Sequence, residues 1–244
     1  MFTKKTSLII PTRNRPYFLL KLLKNLKDFR VKFREILVID SSNKEIKIKI
    51  NNIVKNFNCK LYHSKPSTSL QRNIGLKNKD KKSKYVMFLD DDIVFKKNSF
   101  LSLNNKIIFH EKNKSKILGY GFNQKKKTKK SLLENIKKSK ISKILGLYSK
   151  KNGIIMSSGW QTKILNISDD SLTEWIPTGA VVFPSNVLNI KFNENFGKYS
   201  YLEDLDFSLN LRKKNYMNKF LIVANAVFFH PNDIERINFN FGLI

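Results

Sequence analysis

The sequence contains a single cysteine, Cys59, among its 244 residues. One cysteine excludes an internal disulfide and any zinc site built from cysteines. No apolar run approaches the roughly 17–20 residues that span a bilayer, since the longest, Phe220 to Phe229, is short and contains Asn225. The start Met1-Phe-Thr-Lys-Lys leads into a run of only three apolar residues before Pro11, so we predict no signal peptide, no transmembrane helix and a cytoplasmic location.

Acidic residues are scarce, with 19 Asp and Glu against 47 Lys and Arg, for a formal net charge of +28. Only seven of the basic residues are Arg, the residue whose bidentate fork serves base reading and phosphate clamping. Lys is spread along a chain rich in Asn and Ile and poor in Ala, a pattern typical of A/T-rich codons. We therefore expect no nucleic-acid partner, and the charge favours peripheral contact with an anionic membrane at its inner face.

The composition is that of a globular domain, with 41% hydrophobic and 12% aromatic residues. The first hundred residues alternate between strand-like and helix-like segments. Strands are predicted at Ser7–Ile10, Glu35–Ile39, Cys59–His63 and Tyr85–Leu89, and helices at Tyr17–Leu26, 46–57 and Leu70–Leu76. Part of the second helical segment, residues 46–50, also fits a strand. This order predicts an α/β fold whose mostly parallel sheet has helices on both faces.

Polar clusters follow three of these strands, at their carboxyl ends, where ligands bind in sheets of this kind. They are Pro11-Thr-Arg-Asn14, Asp40-Ser-Ser-Asn43 and the triplet Asp90-Asp91-Asp92. Neighbouring carboxylates repel one another unless a cation lies between them, and oxygen ligands suit Mg²⁺ or Mn²⁺ shared with substrate phosphates. The triplet therefore indicates a metal site, with an acidic helix cap as the structural alternative.

The second half of the chain offers further titratable groups. A strand is predicted at Ala180–Phe183, and the segment Glu203-Asp-Leu-Asp206 opens a helix in which acidic residues are also ordinary dipole partners. His230 follows another apolar strand, where a histidine is often only a structural hydrogen-bonding residue. Between the halves, residues 111–150 form a basic insertion. We interpret Leu132–Tyr148 as a surface helix, with a membrane-contacting helix and a lid as alternatives.

Seven short motifs follow one another in a fixed order between about residue 6 and about residue 231. They are Ile9-Ile-Pro-Thr-Arg-Asn-Arg-Pro16, Val38-Ile-Asp-Ser-Ser42, Gln71-Arg-Asn-Ile-Gly75, Phe88-Leu-Asp-Asp-Asp92, Phe192-Asn-Glu194, Glu203-Asp-Leu-Asp206 and His230. In this order the chain resembles the family-2-type glycosyltransferases of the GT-A fold. The resemblance implies a Rossmann-like, mostly parallel sheet with a smaller mixed acceptor-side region. It also implies one domain, with a nucleotide-binding half at about 1–110 and an acceptor half at 151–244.

The resemblance implies a role for each motif residue. The nucleotide base and ribose would contact Pro11, Thr12, Asn14 and Asp40, with Arg72 near the uracil or diphosphate. Asp90 would contact the ribose or sugar, Asp92 and His230 would bind the metal, and Asp91 could share either role. Asp204 would be the general base, with Glu203 orienting the acceptor. Trp175, Thr178 and Gly179 would line the sugar or acceptor pocket.

These roles amount to inverting, metal-dependent transfer from a nucleotide-diphosphate sugar, with a UDP-sugar favoured and Mn²⁺ or Mg²⁺ as the cofactor. The acceptor would be a glycan or a lipid-linked precursor, in cell-surface polysaccharide or lipopolysaccharide synthesis. The family's Gln-x-x-Arg-Trp segment is absent from the sequence, which favours addition of one sugar over processive polymerisation. The alternatives are a nucleotidyltransferase, although Pro11-Thr-Arg-Asn14 lacks the glycines of a phosphate loop, and a basic nucleic-acid-binding protein.

Overall fold

The computed structural model describes residues 1–126, 149–197 and 202–230. Its helices are α1 (Pro16–Asp28), α2 (Lys44–Asn56), α3 (Thr68–Asn78), α4 (Ser99–Lys112) and α5 (Glu203–Lys214). Its strands are β1 (Thr6–Thr12), β2 (Glu35–Asp40), β3 (Lys60–His63), β4 (Tyr85–Leu89), β5 (Val94–Phe95), β6 (Ile117–Gln124), β7 (Ser171–Thr173), β8 (Ala180–Pro184) and β9 (Lys219–Phe229). Short 3₁₀ helices cover Phe2–Lys5 and Glu194–Phe196.

All of these strands belong to one sheet, in the order β3-β2-β1-β4-β8-β6-β9-β5, with β7 paired to β9. Strands β1 to β4 are parallel to one another, as the alternation of strands and helices predicts. Strand β8 is antiparallel to both β4 and β6, while β6 is parallel to β9. The predicted α/β fold is confirmed, with a parallel half of the sheet joined to a mixed half.

Helices cover both faces of the sheet because successive side chains of a strand point to opposite faces. On β1, Leu8 and Ile10 belong to a core formed with α1, α2 and α4, whereas Ile9 belongs to a second core. Phe207 and Leu211 of α5 join Ile9 in that second core, with α3 packed against it. The apolar runs of the parallel strands are therefore buried on both sides.

Two local predictions are settled by packing. Strand β1 continues past the predicted stop at Pro11, where it pairs only with β2, because the last pair with β4 is Ile9 with Phe88. A proline is tolerated where one neighbour is missing. The ambiguous segment 46–50 is helical: Ile50 and Val54 are buried one turn apart, and Ile48 is 67% exposed.

Part of the predicted insertion belongs to the sheet. Residues Ile117–Gln124 form β6, a central strand between β8 and β9. The sequence did not predict this strand because it contains Gly119 and Gly121, and glycine is a weak strand former. Each permits a close approach: a Cβ on Gly119 would lie 2.8 Å from Phe183, and one on Gly121 would lie 2.5 Å from Ile222. The predicted helix Leu132–Tyr148 lies outside the described residues.

Candidate active site

The loops after β1, β2 and β4 are joined by hydrogen bonds at the carboxyl edge of the sheet. The Asn14 backbone amide donates to Ser42 Oγ (2.7 Å), and the Asn43 amide donates to Asn14 Oδ1 (2.9 Å). The Thr12 hydroxyl donates to Asp91 Oδ2 (2.6 Å). The three polar clusters therefore form one connected structure, as their common position after parallel strands predicts.

Asp90, Asp92 and His230 come together at this edge, although His230 enters from the end of β9. Each offers a ligand atom within 4.8 Å of the other two, and His230 Nδ1 lies 3.2 Å from Asp92 Oδ1. Two carboxylates and one imidazole form a donor set that fits Mn²⁺ or Mg²⁺. The residues present thus fit the divalent ion that the sequence predicts.

Asp91 points away from this group into the protein. It is fully buried, accepts a hydrogen bond from Thr12 and pairs with Arg15 Nη2 at 2.6 Å. Burial raises the pKa of Asp91 to about 7, while Arg15 and Thr12 oppose the rise. Arg15 also reaches Asp92, with Nη1 at 2.8 Å from Oδ2. Asp91 therefore contacts protein groups beneath the cleft.

Glu203 and Asp204 begin α5, after Leu202 in a left-handed conformation (φ 66°). Glu203 is buried, and its carboxylate accepts hydrogen bonds from the Arg72 guanidinium and from Ser69 Oγ. The buried Arg72 also lies 3.2 Å from Asp90 and 4.0 Å from Asp204. Arg72 thus connects three carboxylates from two segments of the chain.

Asp204 is the more accessible of the two acids. Its side chain is 32% exposed, against 8% for Glu203, and its Oδ1 accepts a hydrogen bond from the Thr178 hydroxyl. The burial of its surroundings raises the pKa of Asp204 to about 6, with Glu203 and Asp90 adding to the rise and Arg72 and Thr178 opposing it. A carboxylate with such a pKa can exchange a proton near neutral pH.

Two adjoining clefts, of about 250 Å³ and about 180 Å³, share Asp90, Gly179 and Asp204 as lining residues. The larger is also lined by Pro11, Thr12, Arg13, Arg15, Ser67, Thr68, Gln71, Arg72 and Glu203. The smaller is also lined by Gly121, Phe122, Gln124, Ile164, Pro177, Ala180, Phe228 and His230. A cavity of about 540 Å³ lies at the opposite edge of the sheet, between the start of β4 and the end of β8, away from these acids.

A match to a family model identifies the family of this chain. The model of glycosyl transferase family 2 matches residues 7–165, more than half of the chain. The chain belongs to glycosyltransferase family 2. A comparison with curated proteins gave no match.

Solved structures agree with the fold of this family-2 chain. S. aureus TarS residues 1–349 superpose with a TM-score of 0.56 at 17% identity, over 92% of this chain and 59% of the TarS chain. The same TarS fragment in complex with UDP gives a TM-score of 0.55 at 15% identity, again over 92% and 59%. A mycobacterial protein gives 0.54 at 11% identity, over 95% of this chain and 69% of that one. The chain thus spans 59% of the TarS fragment.

Some residues predicted for the glycosyltransferase site do not line either cleft. Asn14 and Asp40 instead hold the loop after β2 in place. Asn14 accepts from the Asn43 amide, and the fully buried Asp40 accepts from the Ser42 amide at 2.9 Å. Thr178 is buried behind Asp204. Trp175 donates through Nε1 to the Thr162 carbonyl (3.1 Å) and packs against the second core.

Several residues of the site were not predicted from the sequence. Arg15 and Ser69 bind site carboxylates directly. Gln71 Nε2 donates to the carbonyls of Thr12 (2.9 Å) and Ile39 (2.6 Å), which ties together the ends of β1 and β2. Gln71 stands next to Arg72 in a quoted motif, so its position was visible, but its bonding depends on how α3 packs on the sheet.

Proposed function

We propose that this family-2 glycosyltransferase transfers a sugar from a nucleotide-diphosphate donor, a UDP-sugar, to a glycan or lipid-linked acceptor, with inversion and with a divalent metal. One observation carries the proposal: Asp90 of the metal-fitting group lines both of the clefts that Asp204 lines, and His230 of that group lines the smaller one. Family membership and the likeness to a TarS structure in complex with UDP support the class of donor. The cell-surface polysaccharide or lipopolysaccharide role is part of the same proposal.

The cleft that contains the arginines is the proposed donor site. Pro11 and Thr12 end β1 at its floor, and Arg13, Arg15 and Arg72 contribute positive charge. Guanidinium groups are well suited to diphosphate oxygens. Asn14 and Asp40 would act indirectly, by holding the loops that contact the base and ribose.

Transfer breaks the bond between the sugar and the diphosphate. A divalent ion held by Asp90, Asp92 and His230 would supply positive charge that stabilises the leaving diphosphate. As that bond breaks, the sugar carbon becomes oxocarbenium-like, as in glycoside hydrolysis. The arginines of the cleft would hold the diphosphate in position during this change.

Asp204 is the proposed general base. It faces both clefts, so it can accept the proton of an acceptor hydroxyl as that hydroxyl attacks the sugar carbon from the side opposite the diphosphate. A single displacement of this kind inverts the configuration at the sugar carbon. Glu203, held by Arg72 and Ser69, would position the first turn of α5 and the acceptor beside Asp204.

Replacement of Asp204 by Asn tests this assignment. Asp204→Asn removes the base but keeps the shape, so we expect nucleotide and Mn²⁺ affinity to stay near wild type while turnover of the donor falls by about 10²–10⁴. Asp206→Asn is the matched control, because Asp206 lies in the same helical turn outside both clefts. Turnover in Asp204→Asn at the wild-type rate would remove Asp204 from this role.

The donor class is tested by binding. We expect UDP and UDP-sugars to raise the thermal midpoint of the protein when Mn²⁺ is present, and Asp92→Ala to abolish the effect of the metal. GDP-, dTDP- and CMP-sugars serve as comparisons. Lack of stabilisation by every nucleotide in the presence of Mn²⁺ contradicts the proposed donor site.

A further inference from the structure

Arg15 neutralises two of the three carboxylates of the Asp90–Asp92 triplet. Its Nη2 lies 2.6 Å from Asp91 Oδ1, and its Nη1 lies 2.8 Å from Asp92 Oδ2. Asp91 is 0% exposed and Asp92 3% exposed, and buried carboxylates are costly without a cation. Arg15 is therefore the counter-charge that permits two adjacent buried acids to fold together.

Asp92 belongs to two groups at once. It is one of the three residues whose ligand atoms lie within 4.8 Å of one another, together with Asp90 and His230. It is also the second partner of the Arg15 fork. A guanidinium and a divalent ion repel each other, so a full ion pair with Arg15 weakens Asp92 as a metal ligand.

Arg15 can release Asp92 without leaving the site. It immediately precedes Pro16, the first residue of α1, so its backbone is held by a helix start. Its side chain is 34% exposed and lines the proposed donor cleft beside Arg13 and Arg72. Because the guanidinium is a fork, Nη2 can stay on Asp91 while Nη1 becomes available to another anion.

We propose that Arg15 is the exchangeable counter-cation of the metal site: it holds Asp92 in the metal-free protein and, anchored on Asp91, contacts the donor diphosphate once Asp92 turns to the metal. This role rests on the metal and donor sites of the proposed function. It gives Asp91 a task that the sequence left open, which is to position Arg15.

The test compares Mn²⁺ binding by wild type and Arg15→Gln, measured by calorimetry with MnCl₂ alone. Without the competing guanidinium, we expect the Kd for Mn²⁺ to fall about tenfold. Thermal unfolding gives a second readout, in which Mn²⁺ raises the midpoint of Arg15→Gln more than that of wild type, because only the variant lacks an internal cation. At saturating Mn²⁺, UDP affinity of Arg15→Gln should fall about tenfold through the lost diphosphate contact.

Arg13→Gln is the matched control. Arg13 lines the same cleft and carries the same charge, but within the described ranges it forms no ion pair with the triplet. We expect the Mn²⁺ affinity of Arg13→Gln to stay close to wild type. This control separates competition between Arg15 and Mn²⁺ for Asp92 from the general electrostatic effect of removing one positive charge from the cleft. Arg15→Lys keeps the charge and loses the fork, so its metal-free stability should lie between those of Arg15→Gln and wild type, and it should bind UDP more weakly than wild type.

The possible results separate the two proposals. If Arg15→Gln folds only with Mn²⁺ present while wild type folds without the ion, the counter-cation role is supported. An unchanged Kd for Mn²⁺ and an unchanged midpoint shift in Arg15→Gln overturn the role of Arg15 alone. Failure of wild type to bind Mn²⁺ overturns the metal site of the proposed function itself.

Discussion

Glu203 and Asp204 are sequence neighbours with different surroundings. Arg72 and Ser69 engage both oxygens of Glu203, which leaves that carboxylate paired and buried. Asp204 accepts from Thr178 and keeps a third of its side chain exposed to the clefts. At the scale of single residues, these surroundings support the proposal that Asp204 accepts the proton and that Glu203 is a positioning residue.

The raised pKa of Asp204 leads to a pH prediction. A general base works as the carboxylate, so kcat/KM should rise with pH as Asp204 loses its proton near pH 6. The Thr178 hydroxyl donates to the carboxylate and favours the charged form, so Thr178→Val should move this rise to higher pH by roughly 0.5–1 unit, the equivalent of a hydrogen bond of about 1 kcal/mol. A pH profile of kcat/KM for both proteins checks this, and a shift to lower pH contradicts it.

Gly179 is required by its contact with Asp90. The Asp90 amide donates to the Gly179 carbonyl (2.8 Å), and a Cβ on Gly179 would lie 2.6 Å from Asp90 Oδ2. We expect Gly179→Ala to displace the Asp90 carboxylate and to weaken Mn²⁺ binding about tenfold.

A double-mutant cycle provides the control for this effect. If Gly179→Ala acts through the Asp90 carboxylate, adding it to Asp90→Ala should cause no further loss of Mn²⁺ affinity. Additive losses, measured by calorimetry with MnCl₂, would show that Gly179 acts by another route.

At the scale of elements, α3 holds the site together. Its Gln71 ties β1 to β2, its Arg72 binds Glu203 of α5, and its Asn73 binds the segment at Phe192. The helix lies close to the sheet because Gly75 has no side chain: a Cβ there would lie 2.4 Å from Ile9. The motif Gln71-Arg-Asn-Ile-Gly75 therefore packs α3 against the sheet as well as contributing residues to the site.

Asn73 stabilises the contact between α3 and the segment at Phe192 through three hydrogen bonds. Its amide donates to the Phe192 carbonyl (2.9 Å) and to Glu194 (2.7 Å), and its Oδ1 accepts from the Phe192 amide (2.8 Å). Asn73→Ala leaves buried backbone groups unpaired, so the free energy of unfolding should fall by about 2–3 kcal/mol.

Asn78→Ala is the comparison for Asn73→Ala. Asn78 lies on the same helix, and among the described residues its amide bonds only to the Ile74 carbonyl, one turn away. Its loss should cost less than about 1 kcal/mol in urea denaturation. Equal losses in the two variants would mean that the Asn73 contacts do not stabilise the Phe192 segment.

At the scale of the whole molecule, the net charge of +28 favours contact with anionic surfaces. Among the described residues, no helix is both long and apolar enough to cross a membrane. We expect reversible binding to vesicles that contain anionic phosphatidylglycerol and not to zwitterionic ones, with binding lost between about 0.1 and about 0.5 M salt.

Two double charge reversals test whether the expected membrane contact involves the whole charged surface or one local site. Lys81→Glu with Lys82→Glu alters an exposed pair in the turn between α3 and β4, and Lys213→Glu with Lys214→Glu alters an exposed pair at the end of α5. If the charge acts as a whole, each double variant should weaken vesicle co-sedimentation modestly and by a similar amount. Loss of binding in only one double variant would instead identify a local membrane site.

Local patterns were sufficient for much of the fold. Tyr85–Leu89 is a strand in both prediction and structure, because a short apolar run between polar segments has few alternatives. Strand β6 was not predicted, because Gly119 and Gly121 weaken its local strand pattern. The reason for these glycines is tertiary: Phe183 and Ile222 approach them closely. Among the described residues, errors of prediction occur where packing overrides propensity.

The sequence by itself determined the family motifs, their order and the carboxyl-edge position of Asp90 to Asp92, because these depend on short runs of neighbouring residues. Only the tertiary structure decided which acids meet which basic side chains. His230 reaches Asp92, and Arg72 reaches Glu203, across more than a hundred residues. Such contacts follow from the place of β8 between β4 and β6 and of β9 beside β6. Hydrophobic periodicity predicts that strands exist, but long-range pairing sets their order, and that order brings the carboxylates together.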